Sequence, residues 1–178
     1  MSSPILDVAR DELQKIKKLG DKAIAQFSDA ELHVKLDDES NSAAIIMRHM
    51  AGNMRSRWTD FLTSDGEKPD RFRDREFEDR PMSRAELLAE WEDGWRRLFD
   101  AIDPLTDADL QRTVYIRAEP HTVYKAISRQ VAHYAGHVYQ ILFLGKHLKG
   151  AGWTSLSVPR GQSEEFNRKM LARLKGGL

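Results

Sequence analysis

The stretch TVYKAISRQVAHYAGHVYQILFLGKH, residues 122–147, carries the pattern of a long amphipathic helix. Thr122 can cap its start, and Gly150 and Gly152 break the pattern beyond its end. The residues of its inner face recur every three or four positions, as on the buried side of a helix. They are Val123, Ile127, Val131, Tyr134, Val138, Ile141, Gly145 and Leu148. Such a helix needs others to pack against.

Three further stretches show the same recurrence. The predicted buried residues are Leu6, Ala9, Leu13 and Ile16 in the first helix, Ala43, Ile46, Met47, Met50, Met54 and Phe61 in the second, and Leu88, Trp91, Trp95, Leu98 and Ile102 in the third. No internal repeat or low-complexity segment interrupts them. The four stretches predict an all-α fold, a four-helix bundle with one long crossover.

Capping and breaking residues indicate where the first two helices begin and end. Pro4 suits the opening turn of the first helix, and Gly20 is a plausible stop. Asn41 can accept hydrogen bonds from the free amides of the second helix. That helix is predicted to end before Asp65.

The third helix has the clearest start signal. Ser83 and Glu86 have the spacing of a capping box, and Met82 and Leu87 can close a hydrophobic staple over it. Pro104 is expected to end this helix, because proline cannot continue one.

Two connecting segments are predicted to lack helices of their own. Residues 67–80 alternate in charge, and a solvated loop is favoured there over a binding patch. The run from Thr113 to Ile116 is β-branched but too brief to make a sheet by itself, so we assign it to the crossover.

The tail after the fourth helix contains apolar anchors. Trp153 and Leu156 precede a possible short helix after Ser163, in which Phe166 and Met170 lie four residues apart. Because disordered tails rarely carry such residues, the tail is expected to pack on the bundle.

Length and composition limit the classes of function. The chain of 178 residues fits a single domain, 1–178, and its 28 basic residues balance its 28 acidic ones. This balance argues against nucleic acid and anionic membranes as partners. Cysteine is absent, which excludes disulfides and thiolate ligands and fits a reducing cytoplasm. No segment resembles a signal peptide or a spanning helix, so we expect a soluble, cytoplasmic protein.

Histidines are the candidate metal ligands. His133 and His137 are four apart on the fourth helix, where both rings can reach one ion. His49, on the flank of the second helix's apolar face, is the natural third ligand. Spacing alone still favours the plainer interpretation of satisfied core histidines and one chance pair. The other histidines, His33, His121 and His147, are given surface roles.

A three-histidine site would leave a coordination position open. That arrangement is typical of catalytic rather than structural zinc, and imidazole also suits nickel, iron and copper. No glutamate directly follows His133, so the peptidase motif His-Glu-x-x-His is absent.

At these residues the chain resembles the DinB/YfiT-like superfamily of metal-binding four-helix bundles, and more closely one of its uncharacterised bacterial families. The resemblance is carried by the run from His49 to Trp58, by Asp60 to Lys68, by Thr122-Val123, Arg129-Gln130, His133-Tyr134-Ala135, His137-Val138 and Gln140-Ile141, and by Trp153, Leu156-Ser157, Pro159-Arg160-Gly161, Ser163 and Phe166-Asn167. It implies a divalent metal (zinc, nickel or iron) on His49, His133 and His137. A homodimer is expected by the same analogy.

The resemblance leads to two hypotheses about function. In the first, the ion activates a low-molecular-weight thiol cosubstrate or a water, as in thiol transferases or hydrolases. In the second, the bundle is a dimeric, non-catalytic metal or small-ligand binder. An acid–base residue would favour an enzyme, and Tyr139, Asn53, Arg129 and Gln130 are the candidates. Tyr139 also departs from the family pattern, which has a glycine close after the second of the paired histidines.

Overall fold

The computed structural model describes residues 3–176 of the chain. Its elements are helices α1 (Pro4–Ile24), α2 (Ala43–Trp58), α3 (Arg84–Ile102), α4 (Val123–Lys149) and α5 (Ser163–Gly176), and strands β1 (Thr113–Ile116) and β2 (Glu119–Thr122). Helices α1 to α4 form the predicted four-helix bundle. The predicted domain, 1–178, extends beyond the described residues by two at each end.

The order of the helices around the bundle places α2 beside α4. Extensive contacts join α2 to α3 and α1 to α4, and smaller ones join α2 to α4 and α1 to α3. The centre is filled by large side chains of α3 and α4, including Trp91, Trp95 and Tyr134, which are fully buried. Burial of such rings is the main source of stability in a bundle of this size.

Helix α2 is buried on nearly all sides, unlike an ordinary amphipathic helix. It is covered by α3 and α4, and also by a short 3₁₀ turn, Arg73–Glu76, from the connection between α2 and α3. Several polar residues of α2 are therefore inside the protein, where each needs a partner or a function.

The first two helices differ from the predicted boundaries. Helix α1 continues through Gly20, which is buried against Trp91 rather than acting as a stop. Helix α2 is capped by Ser42 instead of Asn41, because the Ser42 hydroxyl accepts from the Ile45 amide at 3.2 Å. It ends at Trp58, earlier than predicted.

The predicted capping box of α3 is confirmed, since Ser83 and Glu86 satisfy each other's amides. The Thr122 cap of α4 is confirmed too, with its hydroxyl accepting from the Lys125 amide at 3.1 Å. These caps are visible in the sequence because the partners lie three residues apart.

The assignment of Thr113–Ile116 to a crossover without a sheet is wrong. Strands β1 and β2 pair antiparallel, with Val114 opposite His121. Their turn needs positive φ at Arg117 and Ala118, 55° and 61°. The carboxylate of Asp65 stabilises that turn by accepting from both backbone amides, at 2.8 and 2.7 Å. This long-range support explains why the hairpin is not evident from local sequence.

The tail packs on the bundle through its first residues. The rings of Trp153 and Phe27 both lie against Gly145, and the Gln26 side chain hydrogen-bonds the backbone of Thr154. The apolar side chains of α5, by contrast, are exposed; they are Phe166, Met170, Leu171 and Leu174. Among residues 3–176, no helix is both long and apolar enough to cross a membrane.

Two glycine substitutions test the packing of α1 on α3. A Cβ at Gly20 would lie 2.8 Å from Cζ2 of Trp91, whose ring is held by a hydrogen bond to Asp21. We expect Gly20→Ala to lower the free energy of unfolding by about 1–3 kcal/mol. Gly136→Ala is the matched control, because a Cβ there meets nothing within 4 Å.

The control should raise the free energy of unfolding by up to about 1 kcal/mol, the helix-propensity gain of alanine. Urea denaturation followed by circular dichroism measures both. A stabilising Gly20→Ala would contradict the close contact with Trp91.

Candidate metal centre

The packing of α2 beside α4 brings the three predicted histidines together. One nitrogen from each ring of His49, His133 and His137 can be chosen so that all three lie within 4.8 Å of one another. The Nε2 atoms of His133 and His137 are 3.1 Å apart. The His49 ring centroid lies 5.5 Å from that of His133 and 4.9 Å from that of His137.

The cluster is only partly open to solvent. His49 is buried, with 5% of its surface exposed, whereas His133 and His137 are intermediate. The Phe77 ring packs against His49, with 4.7 Å between ring centroids. The cluster therefore lies at the edge of the bundle, where two of its three rings are partly open to solvent.

Glu76 is the fourth residue of the site. Its Oε2 atom lies 2.9 Å from Nδ1 of His49. The guanidinium of Arg71 donates to both oxygens of the same carboxylate, at 2.8 and 2.9 Å. A Cβ at Gly52 would be 2.3 Å from Oε1 of Glu76. Glycine at this position is what lets the carboxylate lie directly against α2.

The charge of Glu76 determines which His49 nitrogen can bind a ligand. Burial alone would raise the pKa of Glu76, but hydrogen bonds from His49 and Arg71 outweigh it and hold that pKa below its ordinary value. An ionised carboxylate only accepts, so Nδ1 of His49 carries the proton. In the neutral ring, the lone pair is then on Nε2, as in carboxylate–histidine–metal arrangements.

The sequence does not single out Glu76. The prediction of a solvated loop over residues 67–80 is wrong for this residue and for Arg71, whose side chains are only 11% and 6% exposed. Because acidic and basic residues alternate through this segment, the sequence does not show which of their side chains are buried. The signal that points to a close approach is Gly52, an isolated glycine inside a helix, one turn after His49.

The environment keeps the paired histidines uncharged. Burial lowers the pKa of His133 to about 3, and a proton on His137 or on His49 would act in the same direction by repulsion. Burial also lowers the pKa of His137, against the opposing hydrogen bond to Gln140. Neutral imidazole is the form that binds metals, so these rings are ready to act as ligands near neutral pH.

Two of the candidate acid–base residues are buried near the cluster. Asn53, one turn after His49 on α2, accepts from the Tyr134 hydroxyl at 2.9 Å, and that hydroxyl accepts from Trp58 Nε1 at 3.0 Å. The side-chain oxygen of Gln130 is buried without a hydrogen-bond partner among the described residues.

The other two acid–base candidates face solvent. Arg129 is exposed, and so is Tyr139, 62% of whose surface is accessible. Tyr139 lines a shallow groove with Leu36, Ile46 and Phe143, and the three histidines do not line that groove.

The remaining histidines lie outside the cluster. His147 is exposed, as predicted. The surface role given to His121 is wrong, because only 5% of that residue is exposed and neither ring nitrogen has a hydrogen-bond partner in the described part of the chain. His33 contacts the Met82 carbonyl at 2.9 Å through Nε2.

The fold is the four-helix bundle that the resemblance implied, and the three histidines that it named lie together. The chain belongs to the family described as "Protein of unknown function (DUF1572)", whose model matches residues 1–162. No curated protein matches it.

A solved structure similar to this chain is YfiT from Bacillus subtilis, with a TM-score of 0.68 and 20% sequence identity over 86% of this chain and 91% of that one. YfiT is described as "a probable metal-dependent hydrolase with an unusual four-helix bundle topology". At this identity the likeness shows the fold alone.

The low pKa of His133 predicts how the metal-free protein responds to acid. In the unfolded chain His133 takes up a proton near its ordinary pKa of 6.5, whereas in the folded protein it stays neutral until about pH 3. Because the unfolded state binds more protons in this window, stability falls as pH falls from about 6.5 toward about 3.

Denaturation in a chelator between about pH 7 and about pH 5 measures this loss. His133→Asn should flatten the dependence, and His147→Asn, on the exposed side of α4, should leave it unchanged. Equal pH dependence in wild type and His133→Asn would contradict the burial of a neutral His133.

Proposed function

We propose that His49, His133 and His137 hold one divalent metal ion, and that the protein is a metal-dependent enzyme that activates a small thiol or a water molecule. The observation that carries this proposal is the convergence of three imidazole nitrogens within 4.8 Å. The ordinary alternative, satisfied core histidines, fits less well, since Nδ1 of His133 is buried without a partner among the described residues.

The donor set suits a tetrahedral ion such as zinc. Ligand nitrogens about 2.0–2.1 Å from such an ion lie about 3.3 Å apart, near the 3.1 Å between the Nε2 atoms of His133 and His137. The 4.8 Å spread of the full set exceeds this value, so the rings must draw slightly inward on binding. Nickel and iron accept the same nitrogen ligands.

The chemistry at the site would be divided between the ion and the protein. A metal bound by three neutral ligands supplies a positive centre that lowers the pKa of a bound thiol or water. Glu76 orients the His49 ring and strengthens it as a donor. Because the chain has no cysteine, a thiol must come from a cosubstrate. The hydrolase description of YfiT favours the water alternative, and thiol transfer uses the same open position.

A non-catalytic binding protein is the second candidate. Glu76 favours this candidate, because hydrogen bonds from Arg71 and His49 occupy its carboxylate, which is then not free to accept and release a proton in a reaction. Asn53 does not titrate, and its side-chain oxygen is engaged by Tyr134. Proton transfer would then depend on the substrate or on solvent.

Metal analysis tests the proposed ligands. We expect about one divalent ion per chain in the untagged protein, lost in His49→Ala, His133→Ala and His137→Ala. Glu76→Gln should keep the ion but weaken its binding by about 10- to 100-fold, because the amide orients His49 less well. His147→Ala is the control. Full metal content in all three ligand variants would rule out this site.

Activity measurements separate the enzyme from the binding protein. The metal-loaded protein should speed transfer of bacterial thiols to chlorinated aromatics, epoxides or maleyl-type acids, or hydrolysis of activated esters, and chelation should abolish the rate. His137→Ala should behave as the chelated protein does. If wild type and His137→Ala give equal rates with every substrate, the enzyme hypothesis fails and the binding protein is favoured.

A further inference from the structure

Arg57 is a buried cation with no hydrogen-bond partner among residues 3–176. Only 4% of the residue is exposed, and its Nε and Nη1 atoms are buried with no partner among the described residues. It lies on α2 two turns beyond His49, about 12 Å along the helix axis. The guanidinium packs against the loop that follows α2, since a Cβ at Gly66 in that loop would be 2.7 Å from Nη1.

Two carboxylates interact electrostatically with Arg57, those of Glu67 and Asp65, and both have other hydrogen-bond partners. Glu67 pairs through Oε2 with Arg71 at 3.1 Å and with Arg117 at 3.5 Å. Asp65 accepts from three backbone amides, including its contacts with Arg117 and Ala118. Neither makes a salt bridge with Arg57, and no other carboxylate of residues 3–176 forms one with it.

Other cations increase the local positive charge. Burial lowers the pKa of Arg57, and the charges of Arg129 and Arg71 lower it further, against attractive interactions with Tyr134 and Glu67. Arg71 is itself neutralised by Glu67 and Glu76, whereas no salt bridge is found for Arg129 in the described residues. An unpaired charge in a protein core lowers the stability of the fold. Such a charge is expected instead where a bound ligand provides the opposite charge.

This cationic position lies on the same helix as His49 and acts on the histidine cluster through its charge. The charges of Arg57 and Arg129 both act on His133. Along α2, Asn53 lies midway between His49 and Arg57. A small molecule whose reacting group is at the histidines would extend past Asn53 to reach Arg57.

We propose that Arg57, assisted by Arg129, binds the carboxylate of a small-molecule substrate whose reacting group lies at the three-histidine cluster. This inference rests on the proposed function and adds a substrate class to it. A carboxylate is favoured over a phosphate dianion because a single buried guanidinium is available, while Arg129 is exposed and Arg71 is already paired. The planar guanidinium can donate two parallel hydrogen bonds to the two oxygens of one carboxylate, a geometry that a lysine ammonium does not offer.

The first experiment uses metal-free protein, so that it does not depend on the metal. Thermal unfolding of wild type, Arg57→Met and Arg55→Met is followed with increasing succinate, with phosphate in a second series, at ionic strength held constant by sodium chloride. Arg55, half exposed on the same helix, is the matched control.

Succinate should raise the melting temperature of wild type and Arg55→Met saturably and leave that of Arg57→Met unchanged. In chloride alone, Arg57→Met should be more stable than wild type, because it removes an unpaired buried charge. A less stable or unfolded Arg57→Met would mean that Arg57 is already satisfied inside the fold, and would overturn the proposal. So would equal responses of wild type and Arg57→Met to succinate. Stronger stabilisation by phosphate would refute the carboxylate.

The second experiment uses the zinc-loaded protein and calorimetric binding of mercaptocarboxylates, compared with mercaptoalcohols of equal length. Wild type should prefer the carboxylate by about tenfold or more, as for a charge-assisted hydrogen bond, and Arg57→Met should lose that preference. A preference retained in Arg57→Met would overturn the proposal. If no thiol binds zinc-loaded wild type while succinate still stabilises the metal-free protein through Arg57, the thiol chemistry fails and the anion site stands.

Discussion

The contact between Glu76 and His49 joins the two parts of the structure on which the candidate site depends. One part is the bundle, which supplies the histidine from α2. The other is the long connection between α2 and α3, which supplies the carboxylate and the Arg71 guanidinium that holds it. Arg48 of α2 also binds the connection, donating to the carbonyl oxygens of Glu78 and Arg75 at 2.7 and 2.6 Å. Gly52 allows the approach, because any side chain there would occupy the position of the carboxylate.

Burial of α2 on nearly all sides gives its polar residues different environments along one face. At His49 a carboxylate receives the ring proton, so the imidazole is oriented. At Asn53 the side chain belongs to a neutral network with Tyr134 and Trp58. At Arg57 two guanidinium nitrogens have no hydrogen-bond partner in the part of the chain that the structure describes. Along this face the polar groups are an oriented imidazole, a neutral acceptor and a guanidinium, three chemically different groups within three turns of one helix.

The sequence predicts those features of the fold that depend on local spacing. The capping box of Ser83 and Glu86 and the pairing of His133 with His137 both involve residues three or four apart, so helix geometry alone brings them together. His49 could be added because it lies on the apolar flank of a second helix. The β-hairpin could not be predicted in the same way, because its turn is stabilised by Asp65, far away in the chain.

Glu76 and Arg57 escaped prediction for related physical reasons. A carboxylate in a charged run is normally solvated, and only the contact with His49 shows that this one turns inward. An arginine near the end of a helix is normally exposed, and its burial here follows from the loop that carries Gly66. In both cases the connection between α2 and α3 determines whether a charge is buried, and periodicity within the helices contains no information about that connection.

The connection between α2 and α3 also positions the charged groups by which this chain can differ from other four-helix bundles. A four-helix framework can be retained at 20% identity, as the likeness to YfiT shows. The three histidines of this chain come together because α2 and α4 pack side by side. The groups that would bias the chemistry, the ionised Glu76 and the unpaired Arg57, depend instead on the loop that covers α2. Differences of substrate within this fold are therefore expected to follow differences in that loop more closely than differences in the helical core.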